Sequence, residues 1–121
     1  METVQILEAN VRHEPGAAIL DLRGVINADA EGTLNAAYSE AESHNPPTVV
    51  LNFGDVDYIN STGIALIVGL LARARKAHRQ MLVYGLSRHY EEIFQITRLA
   101  DFMTIYPNEA SALQEAGIPE G

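Results

Sequence analysis

The sequence has no cysteine and no tryptophan, and it has half as many basic residues as acidic ones. Without cysteine, the protein cannot form disulfides, thiolate metal sites or iron–sulfur clusters, and it has no cysteine nucleophile. Its 8 lysine and arginine residues stand against 16 aspartate and glutamate residues, which gives a formal net charge of −8. Nucleic acids and anionic lipid surfaces bind clustered basic residues, so this acidic balance disfavours direct contact with either.

Long hydrophobic segments and targeting signals are also missing. The longest apolar run covers residues 63–72, whereas a helix needs roughly 18–20 apolar residues to span a bilayer. Residues 1–10 include Glu2 and Glu8 and no basic side chain, unlike the start of a signal peptide. We therefore expect a cytoplasmic protein without direct membrane insertion.

The chain length and the hydrophobic pattern predict one α/β domain. A length of 121 residues suits a single domain, with a core over residues 4–116 and a frayed tail over residues 117–121. The predicted order is β-β-α-β-α-β-α-β-α, which implies an N-terminal hairpin followed by a mostly parallel central sheet covered by helices. The predicted strands are residues 4–11, 17–22, 48–53, 81–84 and 103–106, and the predicted helices are residues 28–43, 61–78, 88–96 and 107–116.

Local signals support several of these boundaries. Pro15 and Gly16 suit a tight turn between the first two strands. Side-chain oxygens that can cap a helix stand at or near the start of three of the predicted helices, and these candidate caps are Asn27 or Asp29, Ser87 and Asn108.

The burial of two helices can also be predicted. The first half of the helix over residues 61–78 is apolar on every side, so we expect that half to be buried all round. Its second half is basic, and we expect this part to be a solvated helix end, with an RNA or lipid patch as the alternative. In the helix over residues 88–96, Ile93, Phe94 and Ile96 are expected to point inward.

A short polar turn leads directly into the most apolar helix. Residues 54–58 are expected to form a loop after a buried strand, and Asn60, Ser61, Thr62 and Gly63 follow shortly afterwards. Ligand and partner sites of parallel sheets tend to lie at the carboxyl ends of the strands. Capping of the helix, worth about 1 kcal/mol, explains the polar residues on its own. A second interpretation is a modification site, because a helix N-terminus tolerates the charge of a phosphoryl group.

This region also carries a resemblance to a known family. The stretch from VVLNFGDVDYINSTGIALIVGLLARARKAHRQMLVYG to LSRHYEEIFQITRLADFMTIYPNEASAL resembles a STAS domain, and in particular the bacterial anti-sigma factor antagonists. The matching features are a strand, an acidic-aromatic segment, a turn of the form [D/N]-S-[S/T]-G, an apolar helix and the following strand–helix pattern. The resemblance is strongest over residues 48–113 and implies a STAS-like fold.

The resemblance also implies a function and a set of site residues. Family members bind an anti-sigma factor with a kinase fold, which releases the sigma factor. The anti-sigma factor phosphorylates the serine of the turn, and a phosphatase of the PP2C type removes the phosphate. By position, Ser61 is the phosphoacceptor, Thr62 is a second candidate and Gly63 allows a close backbone approach. Asn60 stands where the family usually has aspartate.

Residues around this turn are candidates for the partner-binding surface. Asp57 and Tyr58 precede it, and tyrosine is common in binding surfaces; burial under the segment is the alternative for Tyr58 and the expectation for Ile59. The segment after the next parallel strand should reach the same edge of the sheet, which adds Leu86, Ser87 and Arg88 to the candidate surface.

Other functions have less support in the sequence. Asn60 favours one alternative, a non-switching STAS module of a transport or signalling assembly. An enzyme is not expected, because Ser61 has no G-x-S-x-G context and no paired acid and base are visible. No phosphate-binding loop of the P-loop type occurs. The four histidines have no metal-ligand spacing, so we expect neither a metal nor a cofactor.

Overall fold

The computed structural model describes residues 6–117. It contains one five-stranded sheet with the strand order β1-β2-β3-β4-β5. Strand β1 is antiparallel to β2, and the other neighbours are parallel, which confirms the predicted fold class and element order. The strands are Leu7–Glu14 (β1), Ala17–Ile26 (β2), Thr48–Ile59 (β3), Gln80–Tyr84 (β4) and Thr104–Tyr106 (β5). The helices are Glu31–Glu42 (α1), Ser61–Lys76 (α2), Arg88–Ile96 (α3) and Glu109–Glu115 (α4), with short 3-10 turns at Ala28–Ala30 and Leu99–Asp101.

The predicted hairpin forms, but its first strand is displaced along the chain. Pro15 and Gly16 make the turn, Gly16 has a φ of 85°, and Glu14 pairs with Ala17 directly beside it. Because pairing continues up to this turn, β1 extends to Glu14 instead of ending at residue 11. Residues 4 and 5 of the predicted strand, and residues 118–121 of the predicted frayed tail, lie outside the described part of the chain.

The two faces of the sheet are covered unequally. Alternate residues of β2 and β3 point to opposite sides, so Leu20 and Leu51 pack with α1, α2 and α3 in the larger core. Ile19 and Val50 lie on the other side, where a smaller cluster packs against the short helix α4. The larger core consists mainly of apolar side chains and also includes Tyr38 and Tyr90, whereas the smaller one borders a polar cluster described below.

The prediction of a loop over residues 54–58 was wrong, because strand β3 continues through these residues to Ile59. In this second half of the strand, Asp55 and Tyr58 pair with Arg23 and Val25 of the extended strand β2. Two register shifts interrupt the pairing. The error has a physical reason: glycine and aspartate are rare in strands, but the neighbouring strand supplies a hydrogen-bonding edge that overrides this local preference.

Helix α2 is buried along one face only, so the expectation of burial all round was wrong. Ile67 and Leu70 are buried, but Ala65 and Ala72 are exposed and the Val68 side chain is 44% exposed. The helix belongs to a surface layer, and one side of it therefore faces away from the sheet.

Helix α3 shows a similar departure from prediction. Phe94 is buried and Ile93 is partly buried, as expected, but Ile96 is 80% exposed. Tyr90 and Phe94, one helical turn apart, define the inward face. Ile96 follows Phe94 by two positions and therefore lies on the opposite side of the helix.

The basic end of α2 is not simply a solvated helix end. Arg73 donates a hydrogen bond to Glu42 at the end of α1 (2.6 Å), and Arg79 donates one to the carbonyl oxygen of Pro46 (2.7 Å). Arg75 lies over the ring of Phe102, 4.8 Å from its centroid. These contacts tie the last turn of α2, and Arg79 just after it, to neighbouring segments.

Candidate functional site

The N-terminus of α2 is held by its backbone and by Asn60. The Asn60 side-chain oxygen accepts a hydrogen bond from the Gly63 N–H (2.8 Å), and its backbone carbonyl accepts one from Ile64 (2.9 Å). The backbone N–H of Asn60 donates to the carbonyl oxygen of Ile26 at the end of β2 (3.2 Å). The turn is therefore attached both to its own helix and to the sheet.

Ser61 and Thr62 are the first residues of the helix, and both are exposed. Since Asn60 provides the cap, the two hydroxyl groups are not needed to begin the helix. The site thus combines a firmly positioned backbone with two accessible hydroxyl groups.

Gly63 is required here because of space. It is buried, and a Cβ atom at this position would lie 2.1 Å from the carbonyl oxygen of Ile26 and 2.8 Å from its carbonyl carbon. Both are backbone atoms of β2, which cannot move aside as a flexible side chain can. Gly63 is thus the residue that lets the first turn of α2 approach the end of β2.

The second half of β3 presents an acidic and aromatic surface next to this turn. Asp55 and Asp57 are exposed, and the Tyr58 side chain is 53% exposed, whereas Ile59 is buried. The expected burial of Ile59 is confirmed. Of the two alternatives for Tyr58, the structure shows the exposed one.

The segment after β4 reaches the same edge of the sheet. Ser87 and Arg88 are exposed and Leu86 is partly buried. Ser87 caps α3 as predicted, because its hydroxyl oxygen accepts a hydrogen bond from the Tyr90 N–H (3.3 Å). Ser87 is thus both an exposed candidate for the partner-binding surface and the residue that begins α3.

Tyr90 connects this segment to the turn at Ser61. The Ile59 N–H donates a hydrogen bond to the Tyr90 hydroxyl (2.8 Å), so α3 is fixed two residues before Ser61. The sequence does not predict this role, because nothing in the local pattern marks a pair of residues this far apart in the chain.

A second polar cluster, which the sequence does not predict either, lies on the α4 face of the sheet. Arg12 of β1 binds Asp21 of β2 through Nε (2.6 Å) and Nη2 (2.9 Å), and it also binds Glu109 in the first turn of α4. Asn52 donates to Asp21 (2.7 Å), and the Tyr84 hydroxyl donates to Glu109 (2.9 Å). The cluster therefore links four strands to α4.

The pKa values of the two carboxyl groups follow from these contacts. Burial raises the pKa of Asp21, but the hydrogen bonds from Arg12 and Asn52 outweigh it and leave the pKa below its usual value. The hydrogen bond from Arg12 also lowers the pKa of Glu109. Burial and the bond to Glu109 raise the pKa of Tyr84. These side chains satisfy one another, which is typical of a structural cluster.

The structure brings two of the four histidines together, with the rings of His13 and His44 stacked 3.7 Å apart. Within residues 6–117, however, no group of three or more His, Asp or Glu side chains is arranged to hold a metal ion. The helices of this same range include none that is long and apolar enough to cross a membrane.

The fold and this edge of the sheet define a STAS domain. A model of the STAS domain matches residues 8–112, so the chain belongs to the STAS domain family, and the predicted resemblance is confirmed. Among its relatives is BtrV of Bordetella bronchiseptica, which is named as an anti-sigma factor antagonist. BtrV is 28% identical over 92 residues, which cover 76% of this chain and 77% of BtrV.

Solved structures share the same fold. The crystal structure of an anti-sigma factor antagonist from Mycobacterium paratuberculosis matches with a TM-score of 0.79 at 18% identity, over 92% of this chain and 94% of that one. The phosphorylated form of SpoIIAA, a Bacillus cell fate determinant, matches with a TM-score of 0.69 at 18% identity, over 89% and 98% of the two chains.

Proposed function

We propose that this STAS domain is an anti-sigma factor antagonist whose binding is switched by phosphorylation of Ser61. The observation that carries the proposal is the exposed hydroxyl of Ser61 on a helix end that Asn60 and Gly63 already hold in place. The name of BtrV supports the same assignment. The function is one of binding, and the protein itself performs no catalysis.

The partner is an anti-sigma factor with a kinase fold, which docks on the exposed edge around Ser61. Candidate contact residues are Asp57, Tyr58, Asn60, Ser61, Thr62, Gly63, Leu86, Ser87 and Arg88. Exposed Tyr58 offers a large amphipathic contact of the kind that often dominates binding energy. Because this edge carries exposed carboxylates, a complementary partner surface would be basic or neutral there. Binding of the partner would release its sigma factor in the cytoplasm.

Phosphorylation would end this binding through charge and size. The kinase transfers the γ-phosphoryl group of ATP to the Ser61 hydroxyl oxygen, ADP leaves, and the hydroxyl proton passes to the kinase's base. The new group carries roughly −1.5 to −2 charges, which the N-terminus of α2 tolerates because its amides and dipole favour an anion. A partner docked in close contact with Ser61 would have no space for the added phosphoryl group and would lie directly against its charge.

The reverse step requires a phosphatase of the PP2C type, which would hydrolyse the phosphoserine and restore the hydroxyl. Exposure of Ser61 makes both reactions sterically accessible. Thr62 is also exposed and is the second candidate acceptor.

The test incubates the protein with ATP and a candidate anti-sigma factor of kinase fold from the same organism, and intact-protein mass spectrometry counts the phosphoryl groups that are added. We expect one phosphoryl group on the wild type and on Thr62→Ala, and none on Ser61→Ala. Ser61→Asp should weaken binding of the partner at least about tenfold, since it places a charge in the contact. The melting temperature of Ser61→Asp should change little. The control is Ser43→Asp, the same substitution at an exposed residue in the α1 C-cap, which should bind the partner normally. Phosphorylation of Ser61→Ala would contradict the proposed acceptor.

One observation favours a second candidate, a non-switching STAS module of a transport or signalling assembly. Asn60 caps the helix without offering a carboxylate beside Ser61. If the cycle requires that carboxylate, the domain would bind constitutively. Recovery of transport subunits in a pull-down, with no kinase-fold protein and no phosphorylation of Ser61, would favour this candidate.

A further inference from the structure

The outer edge of β1 is a pairing surface that no other strand of residues 6–117 uses. Strand β1 lies at the end of the sheet, and among residues 6–117 it pairs only with β2. In a strand of this kind, the backbone N–H and C=O groups of every second residue point away from the sheet. Strand β1 is 8 residues long, and long edge strands are templates for pairing with another strand.

A groove runs along this edge on the side of the larger core. Its volume is about 450 Å³, and it lies between β1 and α1. Small or short side chains form most of its wall, and the lining residues are Ala9, Asn10, Val11, Thr33, Ala36, Ala37 and Glu40. An additional strand beside β1 would therefore find room for its side chains on this face.

We propose that the edge pairs with the β1 strand of a second copy of this chain, antiparallel and with Asn10 on the two-fold axis. Opposite residues of an antiparallel pair lie on the same face of the sheet. In this register Glu8 faces Arg12 of the second copy, and Ala9 faces Val11 of the second copy. Because of the two-fold symmetry, each of these residue pairs occurs twice in the dimer. The apolar pairs lie on the groove side, and the opposite charges lie on the α4 side.

The neighbouring two-fold registers are less complementary. A pairing centred on Val11 sets Glu8 against Glu14, which places like charges opposite each other. A pairing centred on Ala9 sets Glu8 against Asn10 and loses the charge pair. This self-complementarity is the reason for assigning a second copy of the chain rather than an unrelated strand.

Arg12 can accept this additional partner. Its Nε and Nη2 atoms hold Asp21 and Glu109, and Nη1 makes no hydrogen bond within residues 6–117. A guanidinium group has five N–H donors in a fixed fork, so Glu8 of the second copy can bind at Nη1 without displacing the internal contacts.

The helix layer fits the same arrangement. Helix α1 packs on β1 and β2, and neighbouring strands are about 4.8 Å apart. Two α1 helices, each over its own β1–β2 pair, would therefore be roughly 10 Å apart, which is a normal helix-packing distance. Thr33 and Ala36, both small and on the groove side, suit such an approach.

Pairing through β1 would leave the proposed switch accessible. The two-fold axis reverses the strand directions, so the two Ser61 residues would lie at opposite ends of one continuous sheet. The dimer would therefore have two separate binding sites, one at each end of the sheet. This inference does not depend on the proposed phosphorylation, because it concerns a different edge of the molecule.

Sedimentation equilibrium of the full chain tests the dimer, with Glu8→Arg and Glu14→Arg as a matched pair. Both substitutions reverse a charge on the same face of the same strand. Glu8→Arg creates two like-charge pairs with Arg12 and should weaken dimerisation at least about tenfold. Residue 14 faces Ile6 of the second copy in this register, so Glu14→Arg should change the dimerisation constant by less than about twofold. A wild-type chain that stays monomeric at millimolar concentration would overturn the proposal.

A cross-linking experiment tests the register. The natural sequence has no cysteine, so Asn10→Cys introduces the only thiol, and on the axis it would face its own counterpart. Opposite residues have Cα atoms about 4.5–5.5 Å apart, within the range of a disulfide. We expect a covalent dimer for Asn10→Cys under mild oxidation and none for Glu14→Cys. Equal cross-linking of both, or protection of the β1 amides only on addition of another protein, would contradict the assignment.

Discussion

The N-terminus of α2 and the polar cluster around Arg12 are both polar regions, but their contacts are built in opposite ways. At the N-terminus of α2, backbone groups and Asn60 carry the structural contacts, and the Ser61 and Thr62 side chains remain exposed. In the Arg12 cluster, the side chains themselves bind one another across strands. Exposed polar side chains that make no structural contact therefore distinguish the proposed binding surface from a structural cluster better than polarity alone does.

Loss of the close backbone approach at Gly63 should have the largest effect on the stability of the protein. Gly63→Ala would place a Cβ atom 2.1 Å from the carbonyl oxygen of Ile26, and we expect a loss of about 3 kcal/mol in the free energy of unfolding. Gly69→Ala, in the same helix, is the matched control, because a Cβ there meets nothing within 4 Å. The control should gain about 0.5–1 kcal/mol. Urea unfolding measures both, and equal effects would contradict the steric account.

Disruption of the Arg12 cluster should have a smaller and pH-dependent effect. Arg12→Met leaves Asp21 and Glu109 without their cation, and we expect a loss of about 1–2 kcal/mol at pH 7. Both carboxyl groups have lowered pKa values in the folded protein. Their stabilisation is therefore complete above the unfolded pKa of about 4 and is lost as the pH falls through the folded values.

Urea unfolding at pH 7 and at pH 3 checks this prediction. The difference between wild type and Arg12→Met should shrink at the lower pH. Arg98→Met is the control, since Arg98 pairs with Asp101 at the surface (3.0 Å), and exposed pairs contribute less than about 1 kcal/mol. A constant difference across this pH range would show that Arg12 acts through packing instead of charge.

The sequence predicts the start of α2 at the candidate site better than it predicts the Arg12 cluster, for a physical reason. Asn60, Ser61 and Gly63 are neighbours in the chain, and capping is a local interaction that a short motif reveals. The Arg12 cluster joins β1 to α4 across most of the chain, so its members have no shared spacing. The strand at residues 54–58 escaped prediction for the same reason, because its stability comes from β2 rather than from its own residues.

Replacement of Asn60 by aspartate should have the smallest effect on stability, and it separates the capping role of the turn from its proposed role in phosphorylation. Aspartate and asparagine cap helices about equally well, so Asn60→Asp should change the free energy of unfolding by less than about 0.5 kcal/mol. Asn60→Ala removes the acceptor for the Gly63 N–H and should cost about 1 kcal/mol. If a carboxylate before Ser61 assists the proposed phosphorylation, Asn60→Asp should raise the rate of phosphate incorporation while the melting temperature stays constant. An unchanged rate would mean that this position serves the helix cap alone, and that asparagine here is compatible with the switch.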